Sequence, residues 1–281
     1  MTVEAHCDPM LSEPHGLRAA TQILGAGRWL RTSRGMVTGA SSSERLRRES
    51  WLSDPMALRR APAANEPCFV AVVGLQFEAR IIAGPAVRTV VLGAALAPLA
   101  AMLLPTDRGV ISFGICGGLA PGLAAGACVI ASSISDGTRT WATDEAWTQS
   151  LARSIPNAVV GPMLGVDAPI LEVAAKRRLY RSHGAVAVDM ESHVAALAAS
   201  MHGLPFAVVR AVADDAACAL LTVALAGRRA DGSVNVAGVL SALRERPWDL
   251  PPLLRLALRT GSARSTLMRL RPVLALDLVT P

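Results

Sequence analysis

The sequence predicts an α/β domain built on a largely parallel sheet. Three observations carry this. Apolar runs of strand length recur from Cys68 to about residue 212, stretches of helical period separate most of them, and Gly or charged residues close them. Strand ends matter because ligands of open α/β folds bind beyond the carboxyl ends of the strands.

Taken in order, CFVAVVG (68–74) reads as a buried strand ending in Gly, and RTVVLG (88–93) as a second. AALAPLAAMLL (94–104) reads as helical despite Pro98, and GVISFG (109–114) as a third strand running into a Gly-rich turn. ACVIASSI (127–134) is a strand, DEAWTQSLARSI (144–155) a helix opened by acids, and NAVVGPML (157–164) a strand. EVAAKRRLYRS (172–182) is helical, AVAVDM (185–190) a strand, ESHVAALAASMHG (191–203) a helix stopped by Gly, and LPFAVVRAV (204–212) the last core strand. Residues 234–271 read as broadly helical around Pro247, Pro251 and Pro252.

Residues 1–67 are rich in Arg, Ser, Pro and Gly and are expected to be a disordered extension, with a short helix possible at 44–52. Residues 68–242 form the expected domain, and 243–281 a helical segment packing on or extending it. The formal charge of +6 is unevenly spread. Residues 1–67 hold nine Arg against seven acids, 243–281 hold seven Arg against three, and the middle is neutral. A neutral core with basic ends argues against a nucleic-acid groove and fits contact with an anionic surface such as a membrane. The one Lys, Lys176, makes the basic content almost wholly Arg, read first as codon bias.

The uncharged runs 89–106 and 109–135 are broken by Gly and Pro, which suits buried α/β elements better than membrane spans. Five scattered cysteines, with no CxxC and no His at metal spacing, predict free thiols and no metal site. With no apolar secretory segment in residues 1–30, the expected location is the cytoplasm, with peripheral contact to the inner membrane face as a further expectation.

Four places can carry chemistry. Glu78, just past the first strand, suits a general base, though position alone favours a helix N-terminal acid. SFGICGGLAPG (112–122), with Gly114 and Ile115, lets a backbone approach a sugar or base closely, yet has neither dinucleotide nor P-loop spacing. In VDMESH (188–193), Glu191 can accept hydrogen bonds from a vicinal diol and Met190 can wall a sugar face; a helix N-terminal acid beside a core Met fits as well. His193 on that helix reads as packing or exposed. In VVRAVADD (208–215), Asp214 can share a proton with a purine N7 and Arg210 can orient it; a structural ion pair is the alternative.

VGLQFEAR, SFGICGGL, GVDAPI, AVDMESHVAALAA and VVRAVADDA stand in the order and near the spacing of the nucleoside phosphorylase/nucleosidase superfamily. The chain resembles its methylthioadenosine/adenosylhomocysteine nucleosidase branch over about 68–240, and its GVDAPI…AVDMESH most resembles the hopanoid-associated phosphorylases. The resemblance implies a three-layer αβα sandwich with a twisted mixed sheet, assembled as a homo-oligomer. It implies cleavage of the N-glycosidic bond of a 5′-substituted adenosine, with adenosylhopane as the lipid-linked candidate. Soluble methylthioadenosine or adenosylhomocysteine cleavage is the alternative, and a non-catalytic nucleoside binder the third reading. Glu78 would activate water, Met190 and Glu191 would hold the ribose, Asp214 would assist N7, and Arg210 would stand beside it. Gly114, Ile115 and Asp167 of GVDAPI would complete the site. No cofactor is implied, with inorganic phosphate the one candidate co-substrate. Glu78 and Ile115 occupy positions where phosphorylases keep Arg and Ser, which favours water; Arg80 and Arg139 are the alternative phosphate ligands. Ala213 replaces a frequent Ser, and the short segment after Glu78 would open the 5′ end of the pocket.

Overall fold

The computed structural model describes residues 67–92, 99–220, 229, 231–233 and 235–277. The extension, the helix expected at 44–52 and residues 94–98 of the helix expected at 94–104 lie outside them; the described residues 99–104 hold a 3₁₀ turn, Leu99–Met102, in place of an α-helix.

The elements run β1 (Phe69–Val73), α1 (Gln76–Ile82), β2 (Val87–Val91), β3 (Gly109–Gly118), β4 (Cys128–Ser135), β5 (Thr140–Ala142), α2 (Glu145–Ser154), β6 (Val159–Gly165), α3 (Val173–His183), β7 (Ala187–Asp189), α4 (Ser192–His202), β8 (Phe206–Asp214), α5 (Val236–Glu245) and α6 (Leu250–Asp277). Local chemistry explains the boundaries. Asp144 caps α2 by accepting from Trp147 N at 2.8 Å, while Gly184 and Gly203 take left-handed conformations that stop α3 and α4. β1 and β8 are buried at every position, which is why they read as unbroken apolar runs.

The sheet is mixed, as the resemblance implies, and still largely parallel, with five parallel pairings and three antiparallel ones. β1 pairs in parallel with β2 and β3, and β3 with β8, but β3–β7, β4–β5 and β4–β8 are antiparallel. Together with β4–β6 and β6–β7, these pairings close β3, β8, β4, β6 and β7 into a continuous ring. The alternation of elements could not show this, because a period of apolar residues carries no strand direction.

Helices cover both faces, giving the three-layer αβα sandwich. Ile81 and Ile82 of α1, Leu151 of α2 and Ala263, Leu267, Leu270 and Leu274 of α6 pack on one face. Ala195, Ala196, Ala198 and Ala199 of α4, with Leu99 and Leu103, pack on the other. Small residues on α4 let that helix lie close over β3, where its first residues meet the site. A buried Leu contributes ~1.5–3 kcal/mol, so α6 is part of the core. The boundary expected at 242/243 falls inside α5.

Candidate active site

The ends of β1, β3, β7 and β8 and the starts of α1 and α4 surround a cavity of about 570 Å³, closed on one side by α6. Its lining includes Glu78, Ile115, Met190, Glu191 and Asp214 among the expected residues, together with Lys176. That volume suits a nucleoside-sized ligand.

Glu78 is the third residue of α1 and is buried. Its Oε2 accepts from the backbone N–H of Gly74 (2.9 Å) and Leu75 (2.8 Å), and its Oε1 from Ile115 N–H (2.8 Å). It therefore satisfies a helix start and faces the cavity at once. Burial pushes its carboxyl up to about 7, with Glu191 adding to the rise while Arg210 and the backbone donors oppose it. A carboxyl titrating there is matched to proton transfer at neutral pH.

Arg210 sits on β8, fully buried, and is the hub of the neighbouring network. Its Nε lies 2.6 Å from Asp189 Oδ2 and its Nη2 3.5 Å from Glu191 Oε2. Nη2 also donates to Ser112 Oγ (2.6 Å) and Ser192 Oγ (3.2 Å). Ser192 Oγ in turn bonds Asp189 Oδ2, and Ser192 N–H donates to Asp189 Oδ1 at 3.2 Å. Burial alone would lower the Arg210 pKa, but Asp189, Glu191 and Glu78 together raise it, so the guanidinium stays charged.

Two glycines make this packing possible. A Cβ on Gly74 would come 2.3 Å from Glu191 Oε1, and one on Gly114 would come 2.5 Å from Glu78 Oε1 and 2.6 Å from Arg210 Nη1. Gly114 thus serves by leaving room for two side chains that define the site.

At the far end of β8 a register shift between Cys116 and Gly117 pairs Val212 with Cys116 but Asp214 with Gly117. The extra residue turns Asp214 to the sheet face opposite Arg210. Its partner is Lys176 of α3, buried, whose Nζ bonds Asp214 Oδ2 and donates to the carbonyls of Asp215 (2.9 Å) and Cys218 (3.0 Å). Burial raises the Asp214 pKa, Lys176 opposes that, and Asp215 adds to it. Asp215 itself pairs with Arg259 at 3.3 Å.

With that geometry in place, comparison with known proteins decides the family. The Phosphorylase superfamily model matches residues 63–243. The chain belongs to that superfamily. Among solved structures it is similar to the Helicobacter pylori 5′-methylthioadenosine/S-adenosylhomocysteine nucleosidase with butyl-thio-DADMe-Immucillin-A, at 14% identity, TM-score 0.50, over 72% of this chain and 96% of that one. The S. pneumoniae 5′-methylthioadenosine/S-adenosylhomocysteine nucleosidase with the transition-state inhibitor MT-ImmA gives 19% identity and TM-score 0.48 over 53% and 86%. Futalosine hydrolase of Helicobacter pylori strain 26695 gives 15% and 0.48 over 54% and 86%. No curated protein matches the sequence. Identities this low speak to the fold alone.

Within the superfamily fold, several expected residues take different positions or partners. Arg210 does not orient Asp214: it lies on the other face of the bulged strand, is absent from the cavity wall, and holds Asp189 and Glu191 instead. Asp167 also misses the cavity wall. Its exposed carboxylate meets His193 Nε2 at 3.1 Å, while its neighbours Val166 and Pro169 face the cavity. Arg80 is exposed on α1 and Arg139 pairs with Asp136, so neither reaches the cavity as a phosphate ligand. Arg264 does line it, stacked over Phe77 at 5.7 Å. Among the described residues no cluster of His, Cys, Asp and Glu is arranged to hold a metal.

The functional residue that sequence reasoning missed is Lys176. The signal was its singularity: among Lys and Arg residues it is the lone Lys, and it is buried against an acid. The Asp189–Ser192 lock was also missed: its two residues are three apart, but Ser112 and Arg210, which tie it into the network, are distant in the sequence.

Proposed function

We propose that this chain cleaves the N-glycosidic bond of a 5′-substituted purine nucleoside and releases the base. The observation that carries the reading is the convergence of three buried carboxylates, Glu78, Glu191 and Asp214, on one cavity with different partners for each.

The division of labour follows from those partners. Glu191, set by Arg210, is placed to accept the ribose hydroxyls, with Met190 beside it as the apolar wall. Asp214 has Lys176 on Oδ2, which leaves Oδ1 for the purine; a carboxyl raised by burial can share a proton with N7 as the base departs. Cleavage develops positive charge on the sugar, and the anionic ends of Glu78 and Glu191 stabilise it. Glu78, titrating near 7, takes the proton of the attacking water. Water is favoured over phosphate because both Glu78 oxygens and the Ile115 N–H fill the place where an anion would need donors, and a carboxylate there repels it.

Most of the remaining lining is apolar, with Phe77, Ile170, Leu220, Val239, Leu253 and Leu256, and Thr260 and Arg264 are polar members of it. This supports an apolar 5′ substituent, and within that class the lipid-linked adenosylhopane implied by the sequence resemblance. The test is base release in phosphate-free buffer from adenosine, methylthioadenosine, adenosylhomocysteine and adenosylhopane. The reading expects free adenine without phosphate and rates that rise with apolar 5′ bulk. An absolute need for phosphate would replace water, and preference for adenosine would remove the apolar 5′ group.

A further inference from the structure

Of the eleven large apolar residues exposed among the described residues, six fall between positions 236 and 258: Val236 and Leu240 of α5, Trp248 in the Pro247–Asp249 turn, and Leu250, Leu254 and Leu258 of α6. Such clustering marks a contact surface, where exposed apolar residues scattered singly would not. The spacing is helical: 236 and 240 share one face of α5, and 250, 254 and 258 share one face of α6. α5 has no buried residue at all, and Trp248 and Leu258 are 67% and 74% exposed. On α6 the stripe runs alongside Leu253, Leu256 and Ala257, which line the cavity.

Charge decides the occupant. Arg244, Arg246 and Arg255 fall within the same window, against Glu245 and the buried Asp249, and residues 243–281 hold seven Arg to three acids. A second copy of this chain would set the same Arg-rich patch against itself, because a two-fold interface is self-complementary. Residues 1–67, with nine Arg to seven acids, are net positive as well. An anionic surface supplies the opposite charge. Leu side chains entering the acyl boundary, Trp at headgroup depth and Arg reaching lipid phosphates are the elements of an interfacial helix. No helix among the described residues is long and apolar enough to cross a membrane.

We propose that the α5–α6 corner, centred on Trp248, Leu254 and Leu258, docks the protein on an anionic bilayer, beside the helix face that walls the cavity. The surface stands apart from the proposed reaction, and its test uses no substrate. The full chain is sedimented with vesicles of phosphatidylcholine alone and with about one-third phosphatidylglycerol, at low and high salt. Binding is expected on the anionic vesicles, weakened by salt and weak on phosphatidylcholine. The exposed double variant Leu254→Ser/Leu258→Ser should bind roughly tenfold less, with an unchanged circular dichroism spectrum. Absence of anionic-vesicle binding, or binding unaffected by the double variant, overturns the proposal. So does a concentration-dependent dimer that the double variant abolishes, which would make the patch an interface between copies.

Discussion

Arg210 and Lys176 are both fully buried cations at the ends of the same site, yet they are built for different work. Arg210 grows from the middle of the sheet and spreads its planar fork over Asp189, Glu191, Ser112 and Ser192. That network is closed: no part of Arg210 reaches the cavity, and its effect is to fix where Glu191 stands. Lys176 comes from α3, outside the sheet, and brings one point charge to one oxygen of an acid that faces the cavity. Arg suits a rigid multi-anion hub, and Lys suits an acid that must stay titratable. One end of the site is locked, and the other is tuned.

The sharpest way to break the locked end is Arg210→Met. It leaves Asp189 and Glu191 buried without their cation, which costs roughly 3–5 kcal/mol. Thermal unfolding should show a midpoint lower by roughly 10 °C. An unchanged midpoint would mean that the hub is not structural.

Lys176→Met tests the tuned end and should act on rate more than on fold. Removing the ammonium takes away the charge that holds the Asp214 pKa down, so the alkaline limb of the kcat/KM profile should move to higher pH while kcat falls roughly tenfold. A loss of rate equal at every pH, with the limb unmoved, would assign Lys176 to structure alone.

Glu78 lies between the two ends, and its effect on stability is the smallest of the three. Its folded carboxyl titrates at about 7 against a usual value of 4.5, so the native state holds the proton that the unfolded chain releases. Stability linked to Glu78 is therefore full below about 4.5 and falls as pH rises through 7. Glu78→Gln should remove that fall, leaving the variant nearer wild-type stability at pH 5 and relatively more stable at pH 8, read by denaturant unfolding at both. Parallel pH curves for the two proteins would contradict the burial argument.

The same contrast shows how much of the molecule was legible in the sequence. The apolar strands and the Gly-stopped helices could be read because burial and capping are local and periodic. Strand direction could not, and so the apolar periods did not show the antiparallel pairs β3–β7 and β4–β8 that help close a largely parallel sheet into a ring. The three-residue β5 is too short to carry a period, and the expected Gly-rich turn after residue 114 is strand as far as Gly118. Glu78, Met190, Glu191 and Asp214 stood out as groups at element ends, and all four line the cavity. Their partners were not legible. One bulge at the end of β8 decides that Asp214 faces Lys176 and not Arg210, and nothing in VVRAVADD announces it.

The most direct test of the central claim is adenine release from methylthioadenosine by wild type and by Asp214→Asn, with binding of a non-cleavable nucleoside analogue measured alongside. The account predicts that wild type releases free adenine and that the variant still binds the analogue with its rate down roughly 10²–10⁴-fold. Full activity in the variant, or no base released by wild type from any 5′-substituted adenosine, would contradict it.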